Sequence, residues 1–247
     1  MSSNEEEIAQ LKKQLEILQN TQNSIPSYSF SKIKDSELET IVDIEQIFDK
    51  TIFKNWFQNS LSIEKDTVLF LKNLIEKEGD YLEYYYEEDL KIKFITPILN
   101  RVNFTIKEKN IKDFYESKLR YETDRFILSG TTDFVVSKGT KKAKKPYFFI
   151  QEFKKDFENT DPRPQLLAEL ISAIELNKQL SMKGAYIKGS GWNFVILEKL
   201  GEFQYQYFVS QKFDSTKIDD LKSIYKNLLF VKEEIIYMVG KEKCKTY

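Results

Sequence analysis

Asp133 opens the apolar run Asp133-Phe134-Val135-Val136, and Glu152, Phe153 and Lys154 close the run Tyr147-Phe148-Phe149-Ile150-Gln151. Side chains alternate faces along a strand, so Glu152 and Lys154 point the same way. If the two runs are neighbouring strands joined by the loop from Lys138 to Pro146, two carboxylates and one ammonium converge inside an otherwise apolar sheet. Carboxylates are the hard oxygen ligands that Mg²⁺ takes, and the ion keeps several waters, so a site of two acids leaves room for a substrate phosphate and an attacking water. Such an ion polarises a phosphoryl oxygen and makes a nucleophile of bound water. A lysine two residues from a ligand can hold or deprotonate the attacking water, or offset charge building up on phosphorus. Phosphodiester hydrolysis fits all three parts.

Acid-x-lysine triplets are common in a chain with 31% charged residues: Asp89/Lys91, Glu116/Lys118 and Asp220/Lys222 have the same form. Asp89 and Asp220 lie in stretches of helical period, where positions two apart are roughly 200° apart around the axis and do not share a site. Glu116/Lys118 lies in a polar stretch without an upstream acid on a strand. Only Glu152 and Lys154 have both a strand context and an acid partner on a second strand.

On these residues the chain resembles the PD-(D/E)XK nuclease superfamily, the fold of many restriction endonucleases. The resemblance rests on Gly130-Thr131-Thr132-Asp133, on Glu152-Phe153-Lys154 and on a following helix that begins Pro164-Gln165-Leu166-Leu167-Ala168-Glu169. It covers residues 81 to 212 and is closest to the amino-terminal nuclease modules of type I restriction subunits. It implies that Asp133 and Glu152 bind Mg²⁺, with Mn²⁺ able to substitute, that Lys154 serves the attacking water, and that Gln165 supports the site. It also implies an acid on the first core helix: Glu87 is the better match, and Glu88 the alternative. Thr132 stands where the family has its proline, and Glu169 stands where the RecB-like subgroup has a tyrosine four residues after the glutamine.

The whole chain narrows the chemistry further. Its 247 residues, 41% of them hydrophobic, are enough for one large packed domain or a core with appendages. Histidine is absent, which excludes serine-histidine-aspartate triads, histidine-dependent nuclease sites and histidine-bearing zinc sites. The one cysteine, Cys244, cannot form an internal disulfide. Neither a signal segment nor an apolar run of about 18 residues occurs, so a soluble cytoplasmic protein with no membrane partner is expected. A net charge of −1 means that any nucleic-acid contact must come from local patches. One such patch is Lys138, Lys141, Lys142, Lys144 and Lys145, between the two acid-bearing runs, where it would grip a phosphate backbone beside the metal; a solvated turn explains it at least as well.

The elements that must position these residues are read from period. Ile8, Leu11, Leu15 and Leu18 make a two-heptad seam over 5–19, a candidate homo-oligomerisation helix, followed by a polar linker to residue 31. A capping box at Ser36 and Glu39 predicts a helix over 36–58. Further helices are expected over 63–78 and 81–101, giving a helical extension over 32–80 and a nuclease-like core over 81–247. Strands are expected near 114–121, 125–129, 133–137 and 147–154, then a helix to Lys178, strands near 184–188, 192–198 and 203–209, and an amphipathic helix over 216–239. The order predicts an α/β fold, a restriction-endonuclease-like mixed sheet flanked by helices, with an N-terminal helical extension and a C-terminal helix. The aromatic clusters Tyr84-Tyr85-Tyr86 and Phe203 to Phe208 read as half-buried faces rather than base-stacking platforms, and Trp192 as a core residue at a strand start.

The expected function is a metal-dependent endonuclease acting on DNA, with RNA not excluded as substrate; the resemblance suggests a restriction or defence role. The alternatives are a catalytically silent nucleic-acid-binding or scaffolding module of the same fold, favoured by the near-neutral charge, and a nuclease subunit active only in a larger assembly.

Overall fold

The structure, a computed structural model, describes residue 12 and residues 25–155 and 161–241. The seam over 5–19 and Cys244 lie outside the described residues. In chain order the main elements are β1 (Ser27–Ser29), α1 (Asp35–Ile41), β2 (Asp43–Gln46), α2 (Lys54–Phe57) and α3 (Lys65–Glu78). They are followed by α4 (Glu87–Leu90), a π-helical segment (Lys91–Ile95) and α5 (Thr96–Val102), one after the other. Then come β3 (Ile111–Glu122), β4 (Ile127–Lys138), β5 (Lys144–Lys154), α6 (Arg163–Asn177), β6 (Ser181–Lys188), β7 (Gly191–Gly201), β8 (Gln204–Val209), β9 (Phe213–Asp214) and α7 (Ile218–Lys241).

The architecture is mixed α/β, with a curled mixed sheet and helices on both faces. The strand order is β1-β4-β5-β6-β7-β8-β2, with β3 on the other edge of β4 and β9 on β7. β4 and β5 are antiparallel neighbours, whereas β5 and β6 run parallel. A parallel pair needs a crossover, and α6 is that crossover, so the helix after Lys154 must lie on the sheet. Alternation along the strands makes two cores. Phe134, Phe149 and Phe153 face the side covered by α5 and α7, with Phe94, Ile98 and Leu228. Val135 and Ile150 face α6, with Leu166, Leu170 and Ile171.

Every residue of α6 from Pro164 to Ile174 is buried. A helix that is apolar all round must be covered all round. The sheet curls along one side of α6, and residues 27–46 supply the other: Phe30, Leu38, Ile41 and Val42 belong to the same core. β1 joins β4 at one end of this segment and β2 joins β8 at the other, both in parallel. Arg163, the first residue of α6, is tied to it through an ion pair with Asp35 at 2.8 Å.

The helix expected over 36–58 is therefore not formed. α1 ends at Ile41, because Val42 turns extended at φ −138° and the next four residues pair with β8. β-branched Ile41 and Val42, followed by the alternation Asp43, Ile44, Glu45, Gln46, suit a strand as well as a helix, and the free edge of β8 decides. The capping contact also forms two residues earlier than expected, the Glu37 carboxylate accepting from the Lys34 N–H at 3.0 Å. The helix expected over 81–101 begins only at Glu87, after a 3₁₀ turn over Gly79–Tyr84, and widens to the π form at Lys91–Ile95. Pro97 explains the widening: it has no N–H for the carbonyl of Lys93 and its ring crowds that group. The separate strands expected at 125–129 and 133–137 are one strand, β4. Among the described residues no helix is long and apolar enough to cross a membrane.

Candidate active site

The β4–β5 ladder pairs Val136 with Phe149, Val135 with Ile150 and Phe134 with Gln151, and stops there. The next residues in register are Asp133 and Glu152. Their side chains replace the ladder: Asp133 Oδ2 accepts the N–H of Phe153 at 2.8 Å, and the N–H of Asp133 donates to Glu152 Oε1 at 3.3 Å. The two acids thus stand side by side where two strands part, each oriented by the other strand's backbone. Lys154, on the Glu152 face of β5, places Nζ 3.8 Å from Glu152 Oε2 and 3.7 Å from Glu87 Oε2. Glu87 is the first residue of α4; Glu88 is exposed. The structure therefore brings together Asp133, Glu152, Lys154 and Glu87.

Gln165 reaches the group through a residue that the sequence reading did not include. It lies in the first turn of α6, and its Nε2 donates to Glu169 Oε1 at 3.2 Å. Glu169, one turn on, is fully buried, as is Glu152. Burial, with the negative charges of Glu169 and Asp133 beside it, pushes the Glu152 carboxyl well above the usual carboxylate range. Burial likewise pushes Glu169 up to about 8. Glu152 Oε2 and Glu169 Oε2 are buried and accept no hydrogen bond, the Lys154 ammonium standing 3.8 Å from the first of them. One proton shared between the two carboxyls satisfies both, and a cation would do the same. The sequence signal for Glu169 was a lone acid in the apolar run Leu166 to Ile171, four residues from Gln165 and hence on the same helical face.

Hard, buried oxygen atoms without a donor suit a divalent cation of the Mg²⁺ type, which is held by one or two carboxylates and otherwise by water and substrate oxygens. Asp133 and Glu152 are the residues that would hold it. Among the described residues no three acidic, cysteine or histidine side chains are already gathered as a metal-ligand group.

A second lysine is present. Lys91, in the π-helical segment, is buried and ion-paired to Glu116 of β3. Burial alone would lower its pKa; the hydrogen bond to Glu116 and the negative charge of Asp133 outweigh it and hold the ammonium above its ordinary value.

The lysine patch is not brought to the site. Lys138, Lys141, Lys142, Lys144 and Lys145 are exposed at the opposite ends of β4 and β5. Lys138 is five residues from Asp133 and Lys144 eight from Glu152, roughly 17 and 26 Å along the strands. The expectation that the patch lies beside the acids is thereby corrected: the hairpin points away from them. Tyr84 and Tyr86, expected to be half-buried, are 68% and 71% exposed next to Glu87, because the chain there is a short 3₁₀ turn and an extended link rather than a helix packed on the sheet. Tyr205, Tyr207, Phe208 and Trp192 are buried as expected.

No protein-family model matches this chain, and no curated protein matches it.

Proposed function

We propose that the chain is a divalent-metal-dependent nuclease of the restriction-endonuclease-like type that hydrolyses phosphodiester bonds, with DNA as its substrate. The observation that carries the reading is the register of Asp133 beside Glu152 at the point where β4 and β5 part, with Lys154 on the same face. Asp133 and Glu152 would hold a divalent cation, which would supply polarisation of the phosphoryl oxygen and a lowered pKa of water. The protein's own groups do the rest. Asp133 and Glu152 present oxygens on one side of the phosphate. Lys154, held between Glu87 and Glu152, is the cation that serves the attacking water and the oxygens on which charge accumulates. The new bond forms between water oxygen and phosphorus as the bond to the sugar oxygen breaks; the proton that water loses is balanced by the one the departing oxygen gains. Gln165 positions Glu169, and Glu169 governs the protonation of Glu152.

The burial of Glu152 beside Glu169, which pushes its carboxyl well above the usual range, favours one second reading, a binding module whose site is closed to turnover. Incubation of the purified chain with linear duplex, circular and single-stranded DNA and with RNA, in Mg²⁺, Mn²⁺ and EDTA, separates the two. Metal-dependent cutting of DNA is expected. Binding of nucleic acid without cutting in either metal would transfer the chain to the second reading.

A further inference from the structure

Lys91 and Glu116 have no part in the chemistry above, yet they flank it. Glu116 lies on β3 between the pairs Tyr115/Phe134 and Ser117/Thr132, directly across from Asp133. Glu116, Asp133 and Glu152 therefore form one row across three adjacent strands, with Lys91 at one end of the row and Lys154 at the other. In mid-strand Glu116 adopts φ 50°, a left-handed backbone that residues other than glycine avoid. Strain of this kind persists where the surroundings impose it, and it clusters at functional sites. Its effect here is to hold a carboxylate that is 60% exposed over an ammonium that is 10% exposed. Beside it opens a recess of about 330 Å³, walled by Ile92, Thr96 and Tyr115.

A carboxylate offers a lysine two charged oxygens in much the way a phosphodiester does. We propose that Lys91 is a second phosphate-binding lysine of this site, and that Glu116 occupies in the free protein the place of the nucleic-acid phosphate next to the one that is cut. The assignment rests on the nuclease reading for which phosphate reacts. Binding of the backbone displaces the Glu116 carboxylate into solvent, where it is already largely hydrated, and Lys91 exchanges one anion for another without becoming an unpaired buried charge. The recess then receives the sugar and base attached to that phosphate, against Ile92 and Tyr115.

Fluorescence anisotropy of a short labelled DNA duplex and of its single strand, in Ca²⁺ and over a series of salt concentrations, tests the assignment without requiring turnover. Lys91→Met is expected to weaken binding about tenfold and to reduce the salt slope by about one, the signature of one lost phosphate contact. Glu116→Gln, which removes the competing anion, is expected to tighten binding several-fold. Wild-type affinity and slope in Lys91→Met, or no gain in Glu116→Gln, would overturn the proposal; should Lys91→Met not fold, the exposed Glu116→Gln variant decides alone. A wild-type chain that binds DNA but cuts none contradicts the hydrolytic reading and leaves this comparison intact. A chain that binds no nucleic acid contradicts both.

Discussion

Glu152 and Glu169 dominate the electrostatics at the scale of single residues. Burial raises both carboxyls, Glu169 from an ordinary 4.5 to about 8, so the folded protein binds more protons than the unfolded chain between those values. The stability they contribute is fully present below pH 4.5 and is lost as pH rises through the folded value of about 8. Thermal unfolding in EDTA should therefore show Tm falling across this interval. Glu152→Gln should flatten the profile and raise Tm at its upper end, by about 1 to 2 kcal/mol of stability, because an amide has no charge to bury. A Tm that rises with pH over the same interval would show that the pair is ionised and compensated. Added Mg²⁺ should stabilise more at the alkaline end, since binding displaces the shared proton. Asp133, Glu152 and Lys154 were legible in sequence because strand context singles them out; Gln165 and Glu87 were legible only through resemblance. Glu169 was visible as a lone acid in an apolar helix and was read as a departure from a motif. Lys91 and Glu116 were illegible: charged pairs occur throughout this chain, and nothing in a glutamate announces a left-handed backbone.

At the scale of elements, the site depends on β4 and β5 parting at Asp133, just before Phe134, and Gly130 shows how tightly that region is held. A Cβ at Gly130 would lie 2.7 Å from Cδ2 of Phe30, whose fully buried ring is carried by the N-terminal segment. Gly130→Ala should destabilise the fold by about 1 to 3 kcal/mol, the range for overpacking a filled core. Equilibrium unfolding in urea measures it; an unchanged midpoint would show that the segment carrying Phe30 is loosely docked. The same segment is where sequence and structure part. Leu38, Ile41, Ile44 and Ile47 have helical spacing, but Val42 can extend, and the open edges of β4 and β8 draw residues 27–29 and 43–46 into the sheet. Edge pairing is a tertiary decision that local period does not encode. β5, α6 and the C-terminal helix were legible because their apolar runs are long and their ends are marked by Gly, Pro or a lysine-rich turn.

At the scale of the whole molecule, a net charge of −1 leaves recognition to local cations. The hairpin lysines are distant from the acids, so replacing Lys141, Lys142, Lys144 and Lys145 with glutamate should leave the cleavage rate at saturating DNA unchanged and alter at most its KM and salt dependence. A fall in kcat would place that hairpin at the reacting phosphate, against the geometry. In the function proposed, Lys154, between Glu87 and Glu152, serves the attack on phosphorus. The most direct test of that role is the single-turnover rate of DNA cleavage in Mg²⁺ for the wild type and for Lys154→Ala, with thermal unfolding of both. Lys154 Nζ stands 3.7 and 3.8 Å from its two acids, and the variant should still unfold cooperatively, its stability read from the same curves. Its rate should fall by a factor on the order of 10² to 10³ or more. A folded Lys154→Ala protein that cuts at the wild-type rate would contradict the account.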